Sequence, residues 1–279
     1  MAISPVLFII SGFHGNTDPI FAMLTLLAVY LLADRNSPLL AGVSIALALR
    51  IKIVPVVALP ALVVLAATRG RRHLVEFCSG FGVTFLVTWL PALLSQGQAV
   101  RHDVLGYAGS GVSQWGLAQL GHWAGDPWWA ESVRGEGRFV VVVLCAAVPA
   151  ALVWRRPAMV AEAVGLALCG FLFLSPAFGT QYLVWALGAA YLLSFRWATV
   201  YNFGAGVVLV EVYTRWSHGF PWDVANWWGL NAGEVVGAFL VWVALGVVLV
   251  QGARRAWARS AEQTAAQDRV HSLPRPGLT

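Results

Sequence analysis

Charge is what this sequence has least of. Only 11% of its 279 residues are Asp, Glu, Lys or Arg, where an ordinary soluble domain carries about 25%. That shortage, with 59% hydrophobic residues and a mean hydropathy of +0.72, excludes a water-solvated globular surface and implies a polytopic membrane protein. Lysine is nearly absent: of the 18 basic residues, one is lysine, Lys52. The net charge of +5 is therefore read by position along the chain and carries no nucleic-acid signal. Cysteine is scarce as well. Cys78, Cys145 and Cys169 stand inside apolar runs without pairing or metal-ligand spacing, which excludes a disulfide framework and a cysteine-held metal, and leaves them as small core residues.

What is present is apolar sequence in repeated blocks. About ten segments, at 2–11, 19–33, 38–50, 53–67, 74–95, 138–154, 158–175, 181–195, 198–213 and 232–251, predict an all-α transmembrane helical bundle. Several fall short of the roughly 20 residues of a straight span, so some are expected to be kinked, short or re-entrant. The membrane domain takes in residues 1–253, with 96–137 as its largest polar loop. Residues 254–279 read as a basic, disordered cytoplasmic tail.

Arginine position sets the topology. If Arg35, the cluster Arg69, Arg71 and Arg72, the pair Arg155 and Arg156, Arg196, and the group Arg254, Arg255 and Arg259 are cytoplasmic, the later crossings alternate correctly, provided that 38–67 is a hairpin that returns to its starting side. Pro55 and Pro60 suit a broken second arm. The turn at 12–18, the hairpin tip, the loop 96–137, the turn 175–181 and the loop 214–231 then share the outer face.

His14-Gly15-Asn16-Thr17-Asp18 interrupts two apolar runs, gathering imidazole, carboxamide, hydroxyl and carboxylate at one point. Gly15 suits a turn and Pro19 a first helical turn. The alternative reading is a capping turn in which Thr17 or Asp18 caps the next helix. Arg50 and Lys52 stand between arms otherwise free of charge. A cation at mid-membrane costs about 2.5–3.5 kcal/mol, so both need an anion, a wet cavity or a snorkelling route to the headgroups. In 96–137, Asp103 is a carboxylate beside tryptophans that suit either an interfacial belt or a sugar platform, and Gly106, Gly109, Gly111, Gly116 and Gly121 would allow a lid. Gln181 and Tyr182 follow a second polar break, Ser175 to Gly179. Glu162 is expected beside Arg155 and Arg156, and Glu211 beside Arg215.

The run from Pro5 to Asp18, then Arg50-Ile51-Lys52 followed by Val54 to Pro60, then Phe178-Gly179-Thr180-Gln181-Tyr182-Leu183-Val184-Trp185, resembles the integral-membrane glycosyltransferases of the C-type fold. Within these it is most similar to the polyprenyl-phosphate-sugar-dependent mannosyltransferases, including those of glycosylphosphatidylinositol assembly. The resemblance implies transfer of a mannose-like hexose or a pentose from a polyprenyl-phosphate donor to a lipid or glycan acceptor at the outer face of the cytoplasmic membrane. It assigns donor or sugar contact to His14, Asn16, Arg50 and Lys52, places Gln181 and Tyr182 in the same cavity, and offers Asp18 as the base within a matching motif; Asp103, outside those motifs, is a further substrate-binding candidate. Such enzymes begin with further helices and an acidic first outer loop. The resemblance therefore implies a chain lacking its N-terminal part, a separate polypeptide that supplies it, or a base role taken over by Asp18 or Asp103.

No cofactor follows from the sequence, and a divalent metal stays open. A lipid-linked-sugar flippase or small-solute transporter would also need polar breaks and buried cations, but no internal repeat of the kind such folds show is visible. A non-catalytic scaffold accounts for the helices and not for Arg50 and Lys52. Membrane lipids are the remaining expected partner.

Overall fold

The computed structural model describes residues 4–13, 15–105, 115–176, 178–222 and 229–272, and among these there is no β-strand. Proline and glycine punctuate the chain where the sequence breaks. Helix α1 (Pro5–Phe8) runs into a π-helical turn at Ile9–Phe13. Then come α2 (Asp18–Ala33), α3 (Pro38–Ile51), a 3₁₀ turn at Val54–Val57 and α4 (Leu59–Thr68). Prolines occupy the first turns of α1, α2 and α3, where the missing N–H costs nothing.

Helix α5 (Arg71–Ala99) contains Pro91 and a break at Gln96, and passes into a π-helical turn at Val100–Leu105. Two short helices, α6 (Leu117–Trp123) and α7 (Pro127–Arg134), replace the open loop expected there. The glycine lid expected at Gly106, Gly109 and Gly111 lies outside the described residues. Helices α8 (Gly137–Arg155) and α9 (Val160–Leu174) form an antiparallel pair, and Pro176 stops the second. A 3₁₀ turn at Thr180–Val184 leads to α10 (Leu187–Leu193), α11 (Phe195–Trp216) and α12 (Ala232–Ser272).

Among the described residues four stretches have the length and hydropathy to cross a membrane: Arg71–Val104, Gly137–Arg155, Pro157–Leu174 and Ala232–Ala258. The apolar segments expected near 19–33, 38–50 and 53–67 are helices, but short ones. The expected tail begins inside α12, which stays helical to Ser272, in keeping with its good helix formers Ala, Arg, Glu and Gln. Along α5 and α8, Val83, Leu86, Val87, Val140, Val143 and Val148 point outward, a surface that suits lipid and not water.

The hairpin over 38–67 is present. Arg69, just after α4, donates to the carbonyls of Leu32 and Ala33 at the end of α2, and His73 Nε2 lies 3.0 Å from Asn36 Oδ1. The chain thus returns to the end it left, and Arg35 and the 69–72 cluster lie together. Arg255 donates to the Leu193 carbonyl at the end of α10. Helix α3 lies so close to α5 that a Cβ at Gly42 would stand 2.2 Å from the Phe77 carbonyl oxygen, and one at Gly80 equally near that of Leu39. This backbone approach is the small-residue packing common between membrane helices. Cys145 and Cys169 are buried as expected, whereas Cys78 is exposed on α5.

In a Cys78→Ser background, Asp34→Cys and Phe220→Cys, both at exposed positions, are expected to react with an impermeant thiol reagent from opposite sides of the membrane; labelling from one side would overturn this path of the chain. Gly42→Ala should loosen the contact between α3 and α5 and cost about 1–3 kcal/mol, read as a lower melting temperature of the detergent-solubilised chain.

Candidate active site

The polar turn before α2 folds through Gly15, whose φ of +64° a side chain would disfavour. Asn16 N–H donates to the Ile10 carbonyl, and Asn16 Oδ1 accepts from Asp18 N–H at 3.0 Å, so an Asx turn starts the helix. Neither capping expectation holds. Thr17 occupies the cap position without a side-chain bond to the helix, and the Asp18 side chain is turned into the bundle. The capping work falls to Asn16, which leaves Asp18 free for other contacts.

Those contacts come from three directions. Lys52, in extended backbone where α3 ends, places Nζ 2.8 Å from Asp18 Oδ1 and 2.9 Å from Oδ2. Trp185, just past the Thr180–Val184 turn, donates its indole N–H to Oδ2. Asn16 Nδ2 donates to the same oxygen at 3.2 Å. The Asp18 side chain is 2% exposed and that of Lys52 27%, so the carboxylate is sealed while the lysine side chain stays partly exposed.

Aromatic rings complete the enclosure. Lys52 Nζ lies 4.5 Å from the centre of the Trp185 ring and 5.3 Å from that of Tyr182, within cation–π range. The two rings are 4.1 Å apart, and Phe21 and Phe171 flank Trp185. A buried ion pair is stable only when its charges are matched and hydrogen-bonded, and here the donors to Asp18 meet that condition.

The other sequence candidates divide. Asn16 and Lys52 bond Asp18 directly, Tyr182 joins them through its ring beside Lys52 and Trp185, and Gln181 lies half-buried in the same 3₁₀ turn as Tyr182. Arg50 is exposed, with its guanidinium 5.5 Å above the Trp89 ring. Asp103 stands apart, on the exposed π-helical turn, 2.7 Å from its neighbour His102. His14 lies outside the described residues. Arg215 bonds Glu234, not the expected Glu211, because the start of α12 lies against the end of α11. Trp185 was not singled out by the sequence reading, although it closes the Phe178 to Trp185 motif that carries the resemblance. Among the described residues no three His, Cys, Asp or Glu side chains converge.

A lysine ammonium held against a sealed carboxylate and bordered by aromatic rings, on a side chain that stays partly exposed, can meet an anionic, apolar-tailed ligand. The family model described as Glycosyltransferase family 87 matches residues 1–176. No curated protein and no solved structure matches the chain.

Lys52→Met would leave the Asp18 carboxylate buried without its cation and should destabilise the fold by about 3–5 kcal/mol. The double variant with Asp18→Asn should recover most of that loss, a comparison that thermal unfolding in detergent can make.

Proposed function

The chain belongs to glycosyltransferase family 87, and on that premise we propose that it moves a mannose-like hexose or a pentose from a polyprenyl-phosphate donor to a lipid or glycan acceptor, using the Asp18–Lys52 end of the bundle. It is a membrane glycosyltransferase. The observation that carries the finer reading is the pairing of Lys52 with Asp18, which puts a partly exposed lysine beside a buried carboxylate at one end of an apolar bundle. The arginine clusters lie at the opposite end, which supports an outward-facing site in the cytoplasmic membrane.

In the reaction an acceptor hydroxyl attacks the anomeric carbon of the donor sugar, the bond from that carbon to the phosphate oxygen breaks, and the polyprenyl phosphate leaves with the electron pair. Charge grows on the departing phosphate. Lys52 can shift its ammonium toward that charge, with Arg50 as a second cation nearby in sequence. Each contact that Lys52 gives up at Asp18 returns a lone pair to the carboxylate, which is then able to take the acceptor's proton. The aromatic wall of Tyr182 and Trp185 keeps water from the pair and would border the sugar.

Radiolabelled sugar transfer from a polyprenyl-phosphate donor in membranes tests the reading, with uptake of the same donor into vesicles as the outcome that would favour a flippase. Asp18→Asn keeps acceptor and donor groups at the site but loses the base, and should lower turnover by about 10²–10⁴-fold with the fold intact. Near-normal turnover would reduce Asp18 to a counter-ion for Lys52.

A further inference from the structure

The pair α6 and α7 builds a second recess at the margin of the bundle. Its volume is about 530 Å³, within the range of about 300–1,000 Å³ usual for small-ligand sites. Trp128, Trp129, Glu131, Ser132, Val133 and Glu136 line it. Three contacts fix one of its walls. Asp126 caps α7 by accepting from Trp129 N–H at 3.0 Å, Trp129 Nε1 donates to the Leu117 carbonyl at 3.0 Å, and the same ring crosses α6 where only Gly121 leaves room. Trp128, by contrast, is 72% exposed with no such tie.

The recess is connected to the site already described. Trp115 packs on Phe178 with ring centres 4.5 Å apart, and Gly116, at φ +97°, lies against the Ser175 carbonyl. Helix α6 therefore springs from the segment that leads into Thr180–Val184, at the end of the bundle that holds Asp18 and Lys52. Trp123 on α6 meets Phe239 on α12, which braces the pair from its other side.

We propose that this recess is a subsite for a neutral oligosaccharide, taking the carbohydrate part of the acceptor; this rests on the glycosyltransfer reading above. The indole faces offer flat apolar surface to the C–H face of a pyranose ring. The Ser132 hydroxyl and the exposed carboxylates of Glu131 and Glu136 accept hydrogen bonds from sugar hydroxyls. A lining whose charged groups are carboxylates favours a hydroxyl-rich ligand over the donor's phosphate.

The test uses the full chain in nanodiscs, with mannotriose as the probe and saturation-transfer NMR as the readout. Wild-type protein should saturate the sugar ring protons, and Trp128→Ala and Glu131→Gln should each weaken the signal. In the transfer assay with a glycan acceptor, Trp128→Ala should raise the acceptor KM about three- to tenfold, with kcat and donor KM unchanged. Equal mannotriose signals in wild type and both variants overturn the proposal. So does the absence of any sugar signal together with quenching of the Trp128 fluorescence by brominated phosphatidylcholine, which would make the pair a lipid belt. Transfer with an unchanged acceptor KM sinks the subsite and leaves the donor reading standing, whereas mannotriose binding without transfer from the polyprenyl-phosphate donor sinks that reading and leaves the subsite.

Discussion

The Asp18 carboxylate is buried, and a buried charge is tolerated only if it is matched. Every element around it is placed by that requirement. The start of α2 must face inward, α3 must end where Lys52 can reach, and the turn before α10 must bring in Trp185. Removing Lys52 in particular leaves a buried carboxylate whose desolvation its two remaining donors offset only in part. Lys52 reaches the site because the helix gives way at its own position, where the backbone becomes extended before the proline-bearing 3₁₀ turn. A continuous helix through 38–67 would carry Lys52 past the pair and put Arg69 at the wrong end.

Helix α2 is consequently tied by cations at both ends, for different reasons. At its first turn Lys52 neutralises Asp18. At its last turn the carbonyls of Leu32 and Ala33, which have no partner within the helix, are met by Arg69. The two ties fix the tilt of α2 against the hairpin. The close approach of α3 to α5 at Gly42 and Gly80 then sets where Trp89 stands beneath Arg50. At the end of α11 the same logic recurs: Glu234 is fully buried, and it is matched by Arg215 and by the Asn231 N–H.

The aromatic residues divide by burial into different tasks. Trp185 and Tyr182 enclose the ion pair and supply ring faces to Lys52. Trp115 and Trp216 are core residues, packed on Phe178 and Tyr213. Trp128 alone of the α6–α7 tryptophans is largely free of the fold, which is why the ligand argument falls on it.

Composition by itself determined the class. With so little charge and so much apolar sequence, helices that satisfy their own backbone are the economical solution in lipid, and the breaks at Gly15, Pro19, Pro55 and Pro176 were legible because proline and glycine act locally. The arginine pattern likewise implied the hairpin, since loop charge is read along the chain. What the sequence left open was every pairing across it. The choice between capping and catalysis for Asp18, between snorkelling and pairing for Lys52, and the replacement of Glu211 by Glu234 as the partner of Arg215 depended on which helix ends meet in space. Residues 18, 52 and 185 are far apart in the chain, so only tertiary packing could bring a carboxylate, an ammonium and an indole N–H within hydrogen-bond distance and thereby decide what each of them does.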